Sequence, residues 1–147
     1  MKKLFSILLL IITLCGCQSH SETIKTKYFQ VDIPASWKDL YMYEIYEVDD
    51  KVYSLILYDK DSYINSYGGH IATISVYYET DEYDYLPSYE YMGTITNGQE
   101  RYVIISEFPT DVQFDSTTQQ SYKKLCETHQ SVLDSIKYIN GFKLIVE

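Results

Sequence analysis

The chain has 147 residues, is 46% hydrophobic and 22% charged, and carries a formal net charge of −9. That length fits one globular domain and excludes a multidomain enzyme, while 16% aromatic residues, among them 17 tyrosines, exclude a disordered acidic tail. Arg101 is the single arginine, and acidic residues outnumber basic ones 21 to 12; a chain so poor in positive charge has little with which to displace counterions from phosphates, so no nucleic-acid partner is expected.

Residues 1–17 read MKKLFSILLLIITLCGC. Lys2 and Lys3 precede an apolar run from Leu4 to Leu14, broken only by Ser6 and Thr13, and small Gly16 follows. This is the layout of an export signal. A permanent span needs ~20 apolar residues, and this run is shorter. Leu14-Cys15-Gly16-Cys17 resembles the bacterial lipobox. The resemblance implies a diacylglyceryl group on Cys17, cleavage in front of it, and a cell-membrane, lipid-anchored location on the extracytoplasmic face. The competing reading is a simply secreted protein with a chance cysteine. Two acyl chains, at ~0.8 kcal/mol per buried CH₂, anchor stably where one holds marginally.

Processing at that point would leave 131 residues, a net charge of −11 and Cys126 as the one free thiol, with no intramolecular disulfide. An anionic surface repels so acidic a body. The expected organisation is therefore residues 1–16 as signal peptide, 17–27 as lipidated cysteine and polar tether, and 28–147 as one globular domain. The ten residues Gln18–Lys27 reach at most ~35 Å when extended, at ~3.3–3.6 Å per residue.

Along the body, Tyr28–Ile33 alternates as a strand that Pro34 ends, and Trp37 reads as a core anchor. Tyr41–Val48 and Lys51–Tyr58 read as a hairpin about Asp49-Asp50. Asp59–Gly69 is a loop with room for one helical turn, and His70–Tyr78 is a strand with Ala72, Ile74 and Val76 on one face. Tyr89–Thr96 and Glu100–Ser106 flank Asn97-Gly98, a strong turn signal. In Phe108–Phe114 (FPTDVQF), Pro109 breaks the strand and Val112 and Phe114 anchor the crossing.

Between Asp115 and Tyr138, residues Tyr122, Leu125, Cys126, His129, Val132, Leu133 and Ile136 make a continuous stripe at helical spacing. Ser116 with Gln119, or Thr117 with Gln120, can form a capping box, and Asn140-Gly141 stops the helix. Phe142–Val146 reads as a last short strand. Strands first and one long helix late predict an α+β fold: an antiparallel sheet with a long C-terminal helix packed on one face.

The stretch Tyr77–Gly93 holds five carboxylates and six tyrosines. Its plain reading is a solvated loop between strands. Its functional reading is a recognition surface of Tyr77, Tyr78, Tyr83, Tyr85, Tyr89 and Tyr91, because tyrosine gives a rigid, half-polar contact at low entropic cost. Glu79, Asp81, Glu82 and Asp84 supply oxygens for Ca²⁺, but without the spacing and central glycine of an EF-hand loop, so no metal is expected. Cys126 and His129 could pair as nucleophile and base, but both lie on the stripe that covers the sheet, and core packing is the preferred reading. Two such groups are too few for zinc. No cofactor is expected, and the domain reads as a non-catalytic binding module at the bacterial envelope, for an envelope protein or wall polymer. An envelope hydrolase or thiol-dependent enzyme using Cys126 and His129 is the alternative.

The order Ile33-Pro34-x-x-Trp37, Leu86-Pro87-x-Tyr89-x-x-x-Gly93 and Pro109-Thr110-Asp111-Val112-Gln113 resembles small exported domains and lipoproteins of Gram-positive bacteria. It is similar to PsbP-like α/β sandwiches, across residues 28–138. The resemblance implies an antiparallel sheet flanked by helices and implies no reaction; the tyrosine-rich centre departs from the pattern.

Overall fold

A computed structural model of the chain describes residues 20–48, 52–78 and 81–146. The segment expected to be a signal peptide, Cys17, the expected turn at Asp49-Asp50 and Glu79 lie outside the described residues, and the side chains of Asp81 and Glu82 are likewise not described.

The strands are β1 (His20–Lys25), β2 (Phe29–Pro34), β3 (Tyr41–Val48), β4 (Val52–Asp59), β5 (His70–Tyr78), β6 (Tyr89–Thr96), β7 (Arg101–Glu107), β8 (Lys137–Tyr138) and β9 (Lys143–Leu144). The helices are α1 (Lys60–Ile64) and α2 (Gln119–Leu133), and short 3-10 turns cover Ala35–Trp37 and Asp81–Tyr85. The class is α+β and every strand pair is antiparallel, but the strands divide between two sheets. A six-stranded sheet runs β3-β4-β5-β7-β6-β9, and a three-stranded one runs β1-β2-β8.

Period-two alternation builds the interior. The register sets Tyr53, Leu55 and Leu57 of β4 opposite Val76, Ile74 and Ala72 of β5, and Val76 opposite Ile104 of β7. Onto this inner face pack Phe29, Val31 and Ile33 of β2 with Leu125 and Val132 of α2, all fully buried. Each such aliphatic or aromatic side chain contributes about 1.5–3 kcal/mol. Trp37 is fully buried as expected.

Several boundaries differ from the sequence reading. The tether expected over 17–27 contributes residues 20–25 to β1, which pairs with β2. Its only large apolar side chain is Ile24, buried with Thr26, so the pairing and not a local pattern makes the strand. Tyr28 precedes β2 and packs edge-on against Tyr53, Tyr102 and Phe142. The hairpin of β3 and β4 pairs Val48 with Val52, leaving three residues and not two between them. Val112, expected as an anchor, is 72% exposed, whereas Phe114 packs on Tyr122 with ring centroids 5.0 Å apart.

The helix is shorter than the Asp115–Tyr138 stripe. Asp115 Oδ1 accepts from the backbone N–H groups of Thr117 and Thr118, so the entry is an Asx-type turn and no capping box forms. These bonds, led by the Thr117 hydroxyl, hold the Asp115 carboxyl below its ordinary range. At the other end the chain leaves α2 at Leu133 because Lys137 and Tyr138 pair with Gln30 and Phe29 of β2. Asn140 and Gly141, both at positive φ, turn the chain from β8 toward β9 and do not stop the helix.

Candidate recognition surface

The inner face of the six-stranded sheet is filled by the core, which leaves the outer face to meet other molecules. There the register aligns Ser54 of β4, Ser75 of β5 and Ile105 of β7, with Tyr91 of β6 beside Ile105. The neighbouring row holds Val52, Tyr77, Val103 and Thr94. Val103 and Ile105 are buried yet stand outside the core cluster. Among the described residues the buried side chains of β2 and α2 belong to the inner core, and the register sets Tyr77 beside Val103 and Tyr91 beside Ile105.

The 3-10 turn at Asp81–Tyr85 brings Tyr83 between two strands: its ring centroid lies 6.1 Å from Tyr77 on β5 and 5.6 Å from Tyr89 on β6. The second contact is edge-on at 83°; such pairs contribute about 0.5–1.5 kcal/mol beyond area burial. Tyr89 donates its hydroxyl to Asp84 Oδ1 at 3.2 Å, and the Tyr91 hydroxyl meets Thr94 Oγ1 at 2.9 Å. Beneath the rings, Ser75 Oγ donates to Glu107 Oε1 at 2.6 Å and stands 2.8 Å from Ser54 Oγ.

Of the six tyrosines singled out in the sequence, Tyr77, Tyr83, Tyr89 and Tyr91 therefore gather on one face. Tyr78 does not join them: the next residue along β5 points the other way, and its ring packs edge-on against Tyr102 with centroids 5.4 Å apart. Tyr85 is 89% exposed at the end of the 3-10 turn.

Sequence reasoning missed a second group on the same outer face. Glu44 of β3 accepts hydroxyl bonds from Tyr63 at 2.8 Å and Tyr58 at 3.3 Å, and the Tyr58 ring packs on Tyr63 at 4.7 Å and His70 at 6.2 Å. Burial first, then the Glu44 charge, pushes Tyr58 up to about 12. His70 Nε2 lies 2.8 Å from Thr73 Oγ1, and burial lowers its pKa against the opposing pull of Asp111. The parity of Tyr58 and Glu44 within their strands was a usable signal; the pairing of β4 with β5 was not.

Cys126 and His129 border an apolar recess of about 460 Å³ with Ile71, Phe108, Pro109 and Tyr122. His129 Nδ1 lies 2.5 Å from the Cys126 carbonyl oxygen and donates to it, and the ring packs edge-on against Phe108. Among the described residues no hydrogen bond joins the imidazole to the Cys126 thiol. Burial pushes that thiol upward, with a smaller opposing effect from its bond to Tyr122. A protonated thiol is a poor nucleophile, and the arrangement fits helix packing.

A larger concavity, about 710 Å³, lies beside Tyr41, whose hydroxyl donates to Glu22, and is lined by charges of both signs, Lys38, Asp39 and Lys60 among them. Among the described residues no three His, Cys, Asp or Glu side chains gather as metal ligands, and no helix is long and apolar enough to cross a membrane.

The chain matches no family model, no curated protein and no solved structure.

Proposed function

We propose that this protein is a lipid-anchored binding module of the bacterial envelope that engages its partner, an envelope protein or wall polymer, through the tyrosine-paved outer face of its larger sheet. One observation carries the reading: Tyr83 is held between Tyr77 and Tyr89 over the face opposite the core to which the buried side chains of β2 and α2 belong. Buried serines and Glu107 stiffen the floor beneath these rings. Rigid tyrosines bind with small entropic loss, and their hydroxyls satisfy polar groups at the rim.

The anchor rests on the lipobox resemblance at Leu14–Cys17, with Cys17 as the modified residue. Because residues 20–25 belong to β1, the free tether in this reading is shorter than ten residues, and the recognition face works close to the bilayer. The motifs Ile33-Pro34-x-x-Trp37 and Pro109–Gln113, together with an antiparallel α+β body, support a PsbP-like sandwich as its fold family.

Co-sedimentation of the protein with purified cell-wall sacculi, and separately with envelope membranes, tests the face. Tyr83→Ala and Tyr89→Ala should each weaken retention at least fivefold in a protein that still melts cooperatively, since aromatic anchors dominate such contacts. Retention unaffected by both substitutions would sink the proposal. The anchor is tested separately: Cys17→Ser should release the chain from membranes.

A further inference from the structure

We propose that the edge strand β3 pairs antiparallel with β3 of a second copy of this chain, in the register that sets Ile45 opposite Ile45, joining two six-stranded sheets across a two-fold axis. Among the described residues β3 terminates the larger sheet, and five consecutive residues, Tyr43 to Glu47, are exposed. Three of them are large and apolar: Tyr43 at 40%, Ile45 at 47% and Tyr46 at 58% exposure. An open edge displays a row of unpaired N–H and C=O groups, and monomeric proteins blunt such edges with very short strands, prolines, lysines or bulges.

The molecule blunts its other edges. The far side of the larger sheet ends in the two-residue β9, and the smaller sheet ends in the two-residue β8 on one side and in β1, with a bulge between His20 and Glu22 and a lysine at position 25, on the other. β3 lacks all of these, and its one guard is Glu47, which stands opposite Tyr53 on the inner side and pairs with Lys27 Nζ at 3.5 Å. Its eight residues pair with β4 without a register shift and contain no proline, glycine or lysine.

Charge selects the occupant and the register. In a continuous two-fold sheet, paired residues share a face, so each register is centred on one residue. Centring on Glu44 opposes two carboxylates, which destabilises a sheet. Centring on Ile45 sets Glu44 opposite Tyr46 and Tyr43 opposite Glu47, so each carboxylate meets a phenol able to donate to it, and Met42 meets Val48. The strand is self-complementary there, and the isologous contact closes as a dimer.

Single cysteines placed in the full chain carrying Cys126→Ser, in its native membranes under mild oxidation, test the register. Opposite residues lie ~4.5–5.5 Å apart between Cα atoms, within the range a disulfide spans. Tyr43 and Glu47 each stand about 13 Å from their own counterparts, four residues along at ~3.3 Å each. Ile45→Cys should therefore give a chain dimer at least tenfold faster than Tyr43→Cys or Glu47→Cys, above the background of the parent chain. All three sites are exposed, so the fold tolerates the changes. Equal rates at the three positions, no dimer at any, or a cross-link from position 45 to a different protein would each overturn the proposal.

Discussion

Trp37 donates its indole N–H to Thr128 Oγ1 across 2.8 Å, tying the turn after β2 to the middle of α2. The indole is fully buried, so its donor has no water to fall back on. Thr128→Ala should cost about 1–3 kcal/mol, the range for leaving a buried polar group unpaired, while Thr128→Ser, which keeps the acceptor, costs less. Urea denaturation of the three proteins checks the order. An alanine variant as stable as wild type would show that the bond contributes nothing.

The entry to β5 depends on Gly69. Its φ is +70°, and a Cβ there would stand 2.6 Å from the Asp59 carbonyl oxygen and 2.9 Å from the Tyr63 nitrogen, both backbone atoms. Gly69 also accepts from Asp59 N at 2.7 Å and donates to the Gln113 carbonyl at 2.9 Å, so the loop cannot move aside cheaply. Gly69→Ala should lose well over the ~1–2 kcal/mol of left-handed strain alone. Gly98→Ala, with nothing within 4 Å of its Cβ, should lose only that strain. Thermal melts of the pair give the comparison.

His70 makes stability depend on pH. Burial holds its folded pKa below the ordinary 6.5, so as pH falls the unfolded chain takes up the proton first. Stability is then complete above about pH 6.5 and declines below it, until folded His70 protonates too and the loss levels off. The slope in that window is at most about 1.4 kcal/mol per pH unit, the value for one proton. Urea midpoints between pH 7.5 and 5 should show this decline, and His70→Gln should flatten it.

Cys126 should label slowly in the native protein. Its thiol is half-buried with a raised pKa, so the rate with a neutral maleimide should climb about tenfold per pH unit near neutrality, following the thiolate fraction. Unfolding in urea should accelerate it. Fast labelling with a plateau at neutral pH would instead indicate an activated nucleophile beside His129.

Elements with their own punctuation were legible in the sequence. β3, β5 and β6 begin and end where the alternating runs do, between Pro34, Gly68-Gly69 and Asn97-Gly98. At the last of these turns Gly98 alone takes positive φ, while Asn97 Oδ1 accepts from the N–H groups of Gln99 and Glu100. The buried stripe of α2 was equally readable, although Cys126 and His129 are only half-buried at its edge. β1 and β8 were not legible, since polar or two-residue segments become strands only when a distant partner offers a ladder, whereas the strand read over Phe142–Val146 does form, shortened to Lys143–Leu144 where β6 pairs with it. Residues 137–138 leave the helical path for β2, more than a hundred positions away in the chain.

The sequence by itself determined the alternation, the turns and the helical stripe, because those depend on neighbours a few residues apart. It also carried a first segment that resembles an export signal with a lipobox, and the wealth of tyrosine. Only the tertiary structure decided which tyrosines share a face. Tyr77 and Tyr78 are adjacent in the chain yet packed on opposite sides of the sheet, while Tyr77, Tyr83 and Tyr89 come together from two strands and a turn. That outcome follows from strand parity and from the order β5-β7-β6, and long-range backbone pairing sets the second of these.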